Sequence, residues 1–348
     1  MKIAYLTNHI GQTGVNQVIQ DLIVVMGRNG HHCKVFHLKK TNFPMFFSCD
    51  VAMLQNTADL QGYDVIHAHG IGPELYLLRH CLHRWRNEDG KPTKLVTTLH
   101  CYCFQDFKDL YGKFRGFLLG ILYLLAKIPF DRVVCLSRNM MQYYQKFIPK
   151  KKLAFAYNTS ILKSGEKLSE EEKQELETFK GDAALIGMNC VLLYRKGIDV
   201  MLKAMTALPL KYKLFIAGDG KERDVFEKMA RDLGIANRVY FAGQRKNAYR
   251  YLPYYDIYAL PSRSEGFPIS LLEAAAYGSK VVASRLPIVE ECFSDDEISK
   301  FDMPDENALA DAILKADSDN LMGKKLQVAY EEKYSPKVFY DRYISIFH

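Results

Sequence analysis

The chain has 348 residues, 48% of them hydrophobic and 25% charged, and a formal net charge of +7. That is ordinary globular composition for a length of about two domains, with a core large enough to need no disulfide or metal staple. Disorder, collagen and coiled coil are excluded, and no apolar run reaches the roughly 18 residues of a membrane-spanning helix.

Strand-like runs alternate with helix-length segments from the first residue onward. In the first half the predicted strands are Ile3–Leu6, Cys33–Leu38, Asp64–His67, Leu95–Leu99, Arg132–Leu136 and Leu153–Tyr157, with helices such as Val15–Asn29 and Tyr111–Lys127 between them. A polar, charged stretch from Ser164 to Asp182 then interrupts the pattern and reads as a linker carrying a short solvated helix. The pattern restarts with Ala184–Asn189, Lys213–Ala217, Arg238–Ala242, Ile257–Leu260 and Lys280–Ala283. The fold class expected is α/β: two Rossmann-like, doubly wound parallel-sheet domains facing a cleft. The boundaries expected are 1–160, a linker at 161–182, a second domain at 183–333, and a last helix in 334–348 that crosses back to the first domain. Ligands of such sheets bind outside the strand C-termini, so the loops there are the place to seek chemistry.

Cysteines 33, 49, 81, 101, 103, 135, 190 and 292 form no CxxC pair, and the start MKIAYLT carries no secretory h-region. Both point to reduced thiols and a cytoplasmic chain. Charge is uneven: residues 1–165 hold 21 Lys+Arg against 10 Asp+Glu, net +11, and residues 166–348 hold 26 against 30, net −4. An anionic partner for the first half fits, whether nucleic acid, an anionic membrane face or a phosphorylated substrate; simple solvation of one basic surface is the alternative. The run Phe117–Ala126 is uncharged and flanked by Lys113, Arg115, Lys127 and Arg132. It is too short to span, and reads first as a buried core helix and second as a helix lying in a membrane interface.

The most informative segment is Pro261–Gly278, where a strand ends, a polar loop follows and a helix starts near Pro268 and stops at Gly278. Gly266 permits close backbone approach, and free amides at the helix start would face an anion. Glu265 precedes the helix; Glu273 lies among Leu271, Leu272 and Ala274–Ala276, where a carboxylate is costly unless paired. A solvated glutamate beside a capping one is the plain alternative. In the first half, His9–Val15 joins the first strand to a helix but is no GxGxxG fingerprint. His67 and His69 share one side of a strand, yet no third ligand accompanies them, so no metal is expected.

Glu265 and Glu273, with seven residues between them and followed by an alanine-rich helix, resemble the Glu-x7-Glu signature of retaining glycosyltransferases of family 4. Arg195-Lys-Gly-Ile-Asp199, Leu214–Gly220, Asn237–Gly243, Tyr157-Asn158 and Gly30-His31 resemble further segments of that family, in the same order. The resemblance implies a GT-B fold and a nucleotide-diphosphate-sugar donor, most simply a UDP-sugar. Arg195 and Lys196 would hold the diphosphate and stabilise charge on the leaving group. Glu273 would accept from the ribose hydroxyls, and Glu265 would face the transferred hexose. The backbone from Gly266 through Phe267, Pro268 and Ile269 would lie near sugar and phosphate, and Gln244–Lys246 near the base. Gly14 matches the glycine-rich first loop, and His100, at the end of Leu95–His100, would contact the donor sugar. The implied catalytic set is His100, Glu265 and Lys196, without an obligatory metal or other cofactor.

One departure stands out: Cys190 and Val191 occupy the places of the family's usual Gly-Arg, leaving one phosphate-binding arginine absent. The implied partners are a nucleotide sugar and a glycan or lipid-linked acceptor, with peripheral contact to an anionic membrane and no nucleic acid. The implied process is cell-envelope or capsule-type polysaccharide synthesis, with domain closure excluding water. Rivals are an epimerase or phosphorylase on the same fold, and a non-enzymatic nucleotide-sugar or RNA-binding module. The basic half lacks the interleaved aromatic motifs such an RNA module would use.

Overall fold

The computed structural model describes residues 1–42, 44–83, 85–161 and 166–348; residues 162–165 of the predicted linker lie outside it. Two compact units emerge: Met1–Thr159 with Ser335–His348, and Ser160–Tyr334.

The first unit begins with β1 (Lys2–Thr7), α1 (Gly14–Arg28), β2 (His32–His37), β3 (Asp50–Met53), β4 (Val65–His69) and α2 (Ile71–Arg79). It continues with β5 (Lys94–Leu99), α3 (Cys103–Tyr111), α4 (Lys113–Leu125), β6 (Arg132–Cys135), α5 (Arg138–Tyr144) and β7 (Leu153–Phe155). All strands are parallel, in the order β3-β2-β1-β4-β5-β6-β7. Ile3, Ala4, Tyr5 and Leu6 are fully buried without alternation, as expected of a parallel strand covered on both faces.

The second unit holds α6 (Glu170–Lys180), β8 (Ala184–Asn189), α7 (Ile198–Ala207), β9 (Tyr212–Ala217), α8 (Arg223–Asp232) and β10 (Val239–Gly243). There follow β11 (Ile257–Leu260), α9 (Ile269–Tyr277), β12 (Val281–Ser284), α10 (Pro287–Cys292), β13 (Ser299–Phe301), α11 (Glu306–Ser318) and α12 (Met322–Lys333). Its parallel sheet runs β10-β9-β8-β11-β12-β13. The core on one side of that sheet packs α7 (Met201, Leu202, Met205) and α11 (Leu309, Ile313) against Ile186, Leu214 and Ile216.

In both sheets the winding reverses beside the first strand, between β1 and β4 and between β8 and β11. These are the switch points where loops diverge and leave a crevice.

The last helix, α13 (Pro336–Phe347), belongs to the first unit. Phe339, Tyr343 and Phe347 are buried there, the Tyr343 ring lies tilted 5.8 Å from that of His67, and Tyr340 bonds His31 at 3.0 Å.

Several local expectations change. Strands β3 and β13 are additional; β3 is a partly exposed edge strand that opens on Asp50, and β13 has three residues. The single predicted helix Tyr111–Lys127 is the end of α3 followed by α4, broken at Gly112, whose φ of 81° no helix accommodates. The Phe117–Ala126 run is not a buried core helix: Gly120, Tyr123 and Ala126 are buried, while Phe117, Leu118, Ile121, Leu122 and Leu125 face solvent. Helix α6 opens on a Ser169–Glu172 capping box and buries Leu176, and its carboxylates pair with Arg245 and Arg250 rather than with water alone.

Candidate active site

The loops leaving β8 and β11 meet at the second unit's switch point. After β8 the chain passes through Tyr194–Lys196 to Gly197, which adopts φ 69° and opens α7. A Cβ on Gly197 would sit 1.7 Å from the Pro261 carbonyl oxygen, so only glycine lets this turn press against the loop after β11. Arg263 fastens the other side: its amide donates to the Arg195 carbonyl at 2.8 Å, and its guanidinium forks onto both Asp199 oxygens at 2.7 Å while stacking on Tyr194.

That seam brings Lys196 and Glu265 together. Lys196 Nζ donates to Glu265 Oε1 at 2.6 Å, Ser262 Oγ donates to the same oxygen at 2.6 Å, and Arg195 approaches Oε2 at 3.5 Å. Burial alone would raise the Glu265 pKa, but the neighbouring Lys196 and Arg195 charges outweigh it and hold the carboxyl below its ordinary value. Glu265 is therefore ionised, with Oε2 the less engaged oxygen.

Glu273, one helical turn into α9, is the opposite case. Burial raises its pKa to about 7. The groups that feel its charge are Tyr249, Tyr258 and Tyr277, and among the described residues no cation pairs with it. Such a carboxylate is an acceptor waiting for neutral donors.

Pro268 is the residue preceding α9 rather than part of its first turn, and no side chain caps that helix. The backbone around Gly266 and Ile269 consequently presents an uncapped helix start beside Glu265. Phe267 is buried and packs edge-on toward Tyr334, fixing the loop from behind.

The loop after β10 closes the same end of the sheet. Arg245 forks onto Glu175 at 2.7 and 2.8 Å, Asn247 turns in the left-handed region at φ 52°, and Asn189 at the end of β8 binds the Ala248 carbonyl at 3.0 Å. Val191, after β8, is exposed and supplies no charge. Ser262, Arg263, Asp199 and Asn189 are the residues sequence reasoning passed over. Arg263 and Ser262 lie inside the Pro261–Gly278 segment, where their position beside Glu265 was the available signal.

Gly14 and His100 belong to the first unit. Gly14 is the first residue of α1, after its cap Thr13, and a Cβ there would meet nothing within 4 Å. His100 follows β5 and bonds His69 Nδ1 through Nε2 at 3.1 Å; His67 bonds Thr98 at 2.8 Å. Burial, reinforced by the Lys127 charge, lowers the His100 pKa to about 4, and burial lowers that of His67 to about 3. These imidazoles are neutral at physiological pH, suited to hydrogen bonding rather than to proton transfer.

Two doubly wound parallel-sheet units with a polar constellation at the second switch point define a protein of the GT-B class. Solved structures agree on the fold. Sucrose-phosphate synthase from Thermosynechococcus elongatus aligns over 99% of this chain and 98% of its own, at TM-score 0.83 and 18% identity. Anabaena HepE in complex with UDP-glucose aligns over 99% of both chains at 0.78 and 18%. Residues 12–159 match the model described as Glycosyltransferase Family 4, and residues 169–334 that described as Glycosyl transferases group 1. The chain belongs to this glycosyltransferase family. It is 28% identical to the O-antigen biosynthesis glycosyltransferase WclY of Escherichia coli over 100% of this chain and 98% of that one. It is 29% identical over half its length to the lipopolysaccharide core biosynthesis glycosyltransferase LpsE of Rhizobium meliloti.

Proposed function

We propose that the chain is a retaining hexosyltransferase that carries a sugar from a nucleotide-diphosphate donor, a UDP-sugar, to a glycan or lipid-linked acceptor in cell-envelope polysaccharide synthesis. The observation that carries this reading is the Lys196–Glu265 contact at the switch point, with Arg195 beside it and the unpaired Glu273 one element away. WclY's role in O-antigen synthesis and HepE's UDP-glucose complex support the choice of process and donor.

The diphosphate would lie against Arg195, Lys196 and the start of α9, the ribose hydroxyls would donate to Glu273, and Glu265 Oε2 would accept from a sugar hydroxyl. Lys196 has three N–H donors, so it can hold Glu265 and reach a phosphate oxygen together. As the bond from the anomeric carbon to the phosphate oxygen breaks, negative charge grows on the diphosphate, and these cations are already in place to stabilise it. The acceptor oxygen bonds the anomeric carbon from the face the diphosphate leaves, and its proton passes to the departing phosphate oxygen. His100 would orient the sugar as a neutral hydrogen-bonding group. Arg195 and Lys196 supply the charge in this scheme, so turnover persists in EDTA.

The test is release of the nucleoside diphosphate from a panel of UDP-, GDP- and ADP-sugars with lipid-linked acceptors, followed by anomeric assignment of the product. Retained configuration from a UDP-hexose is expected; an inverted product, or sugar interconversion without acceptor, would refute the reading.

A further inference from the structure

A run of exposed apolar side chains lies far along the chain from the donor residues, on the α3–α4 hairpin. Leu110, Tyr111, Phe114, Phe117, Leu118, Ile121, Leu122, Leu125 and the following Ile128 are between 38% and 75% exposed. Scattered apolar side chains on a surface are ordinary, but a contiguous patch of this size marks an interaction site.

The helix is built to show that face. At 100° per residue, Phe114, Phe117, Leu118, Ile121, Leu122 and Leu125 fall within an arc of roughly 140°, while Gly116, Gly120 and Tyr123 fall opposite. A Cβ on Gly116 would lie 2.6 Å from the Phe107 backbone, and one on Gly120 would lie 2.5 Å from the Phe104 ring. The two glycines thus let α4 sit directly on α3. At the far end Lys127 turns inward to a buried ion pair with Glu74. Held this way, α4 keeps Phe114, Phe117 and most of its aliphatic side chains outside.

Cations ring the patch. Lys108, Lys113 and Arg115 are exposed near the start of α4, and among the described residues none of them has an ion-pair partner. Near its end Lys152 donates to the Ile128 carbonyl at 2.8 Å, placing the Lys150–Lys152 run there. On the flank, Phe147 packs on Phe104, bringing exposed Lys146 alongside. The acids of the hairpin are Asp106, whose carboxylate accepts from the Tyr102 amide, and exposed Asp109. Residues 1–165 carry net +11 in all.

We propose that the α3–α4 hairpin is the surface by which this protein docks on an anionic phospholipid bilayer, its apolar stripe entering the headgroup–acyl boundary and its lysines and arginine meeting lipid phosphates. The 13 residues of α4 extend only about 20 Å, short of a hydrocarbon core about 30 Å thick. No described helix is long and apolar enough to cross, so α4 lies in the interface rather than spanning it. Apolar burial plus cationic attraction is the combination that selects an anionic bilayer over a neutral one. This inference stands on the hairpin alone and is independent of the donor assignment.

The test is co-sedimentation of the full chain with vesicles of phosphatidylcholine containing one-third phosphatidylglycerol, beside pure phosphatidylcholine vesicles. Two variants are compared: Phe114→Ser/Leu118→Ser/Leu125→Ser, and Lys113→Gln/Arg115→Gln. The wild type should pellet with the anionic vesicles. The apolar variant should partition at least about tenfold less, and the charge variant about 30-fold less on anionic vesicles with little change on neutral ones. All altered side chains are exposed, so melting temperature and UDP binding should be unchanged, which separates failure here from failure of the donor reading. Absence of wild-type partitioning, or variants that pellet like the wild type, would overturn the proposal. So would a wild-type dimer, lost in the apolar variant, that ignores vesicles, because a second copy would then be the occupant of the face.

Discussion

Glu265 and Glu273 sit eight positions apart, and their surroundings drive them in opposite directions. Glu265 is held ionised by Lys196 and Arg195 against the cost of burial, so its stabilising contribution is present above its unfolded pKa and lost as pH falls through the folded one. Glu273 has a folded pKa of about 7 against an ordinary 4.5. The folded state therefore holds a proton the unfolded state has lost, and stability falls as pH rises across that window, by at most about 3 kcal/mol. Glu273→Gln should erase this loss: its melting temperature should gain on the wild type between pH 5 and pH 8, as read by thermal melts across a buffer series, and parallel curves would contradict the assignment. UDP should restore wild-type stability at pH 8 by donating to the carboxylate. Lys196→Ala should cost about 3 kcal/mol because it strips a buried carboxylate of its closest cation. Adding Glu265→Gln should recover part of that loss in a double-mutant cycle, while UDP binding remains lost in both.

At the scale of elements, the site depends on two loops being pinned together more than on either alone. Gly197→Ala combines a positive φ with a Cβ driven into the Pro261 carbonyl, and should destabilise the second unit by more than about 1 kcal/mol and weaken UDP binding in the same protein; calorimetry and a melt on one sample check both. Much of this was legible beforehand. Lys-Gly, Glu265 and the uncapped helix start announce themselves by residue type and spacing, and buried strands such as β1, β8 and β11 are near-continuous apolar runs. The Arg263–Asp199 fork was not legible, because neither residue is unusual until the loops are seen to meet. Strand β3 escaped because it is a half-exposed edge with an Asp at its start, and β13 because three residues carry no period. The split between α3 and α4 turned on Gly112 and on two glycines whose role is visible only against α3. An apolar run there has the same letters whether it faces a core or the outside.

For the whole molecule, the last twelve helical residues belong to the unit that opens the chain. Phe339, Tyr343 and Phe347 fill the first unit beside His67, and Tyr343 lies 3.4 Å from the Thr98 hydroxyl. Removal of α13 should therefore expose that core and unfold the first unit first, seen by hydrogen exchange as lost protection in β1, β4 and β5 while β8 and β11 stay protected; equal loss in both sheets would contradict it.

Whether the second unit is a nucleotide-diphosphate site is read most directly by calorimetric titration of UDP into the wild type, Lys196→Ala and Glu273→Gln. One UDP per chain is expected for the wild type. Binding should be weakened at least about tenfold by each substitution, consistent with loss of a charged or charge-assisted hydrogen bond. Failure of UDP to bind the wild type, or equal binding in all three proteins, would contradict the assignment, with Val191 in place of an arginine as the first residue to examine.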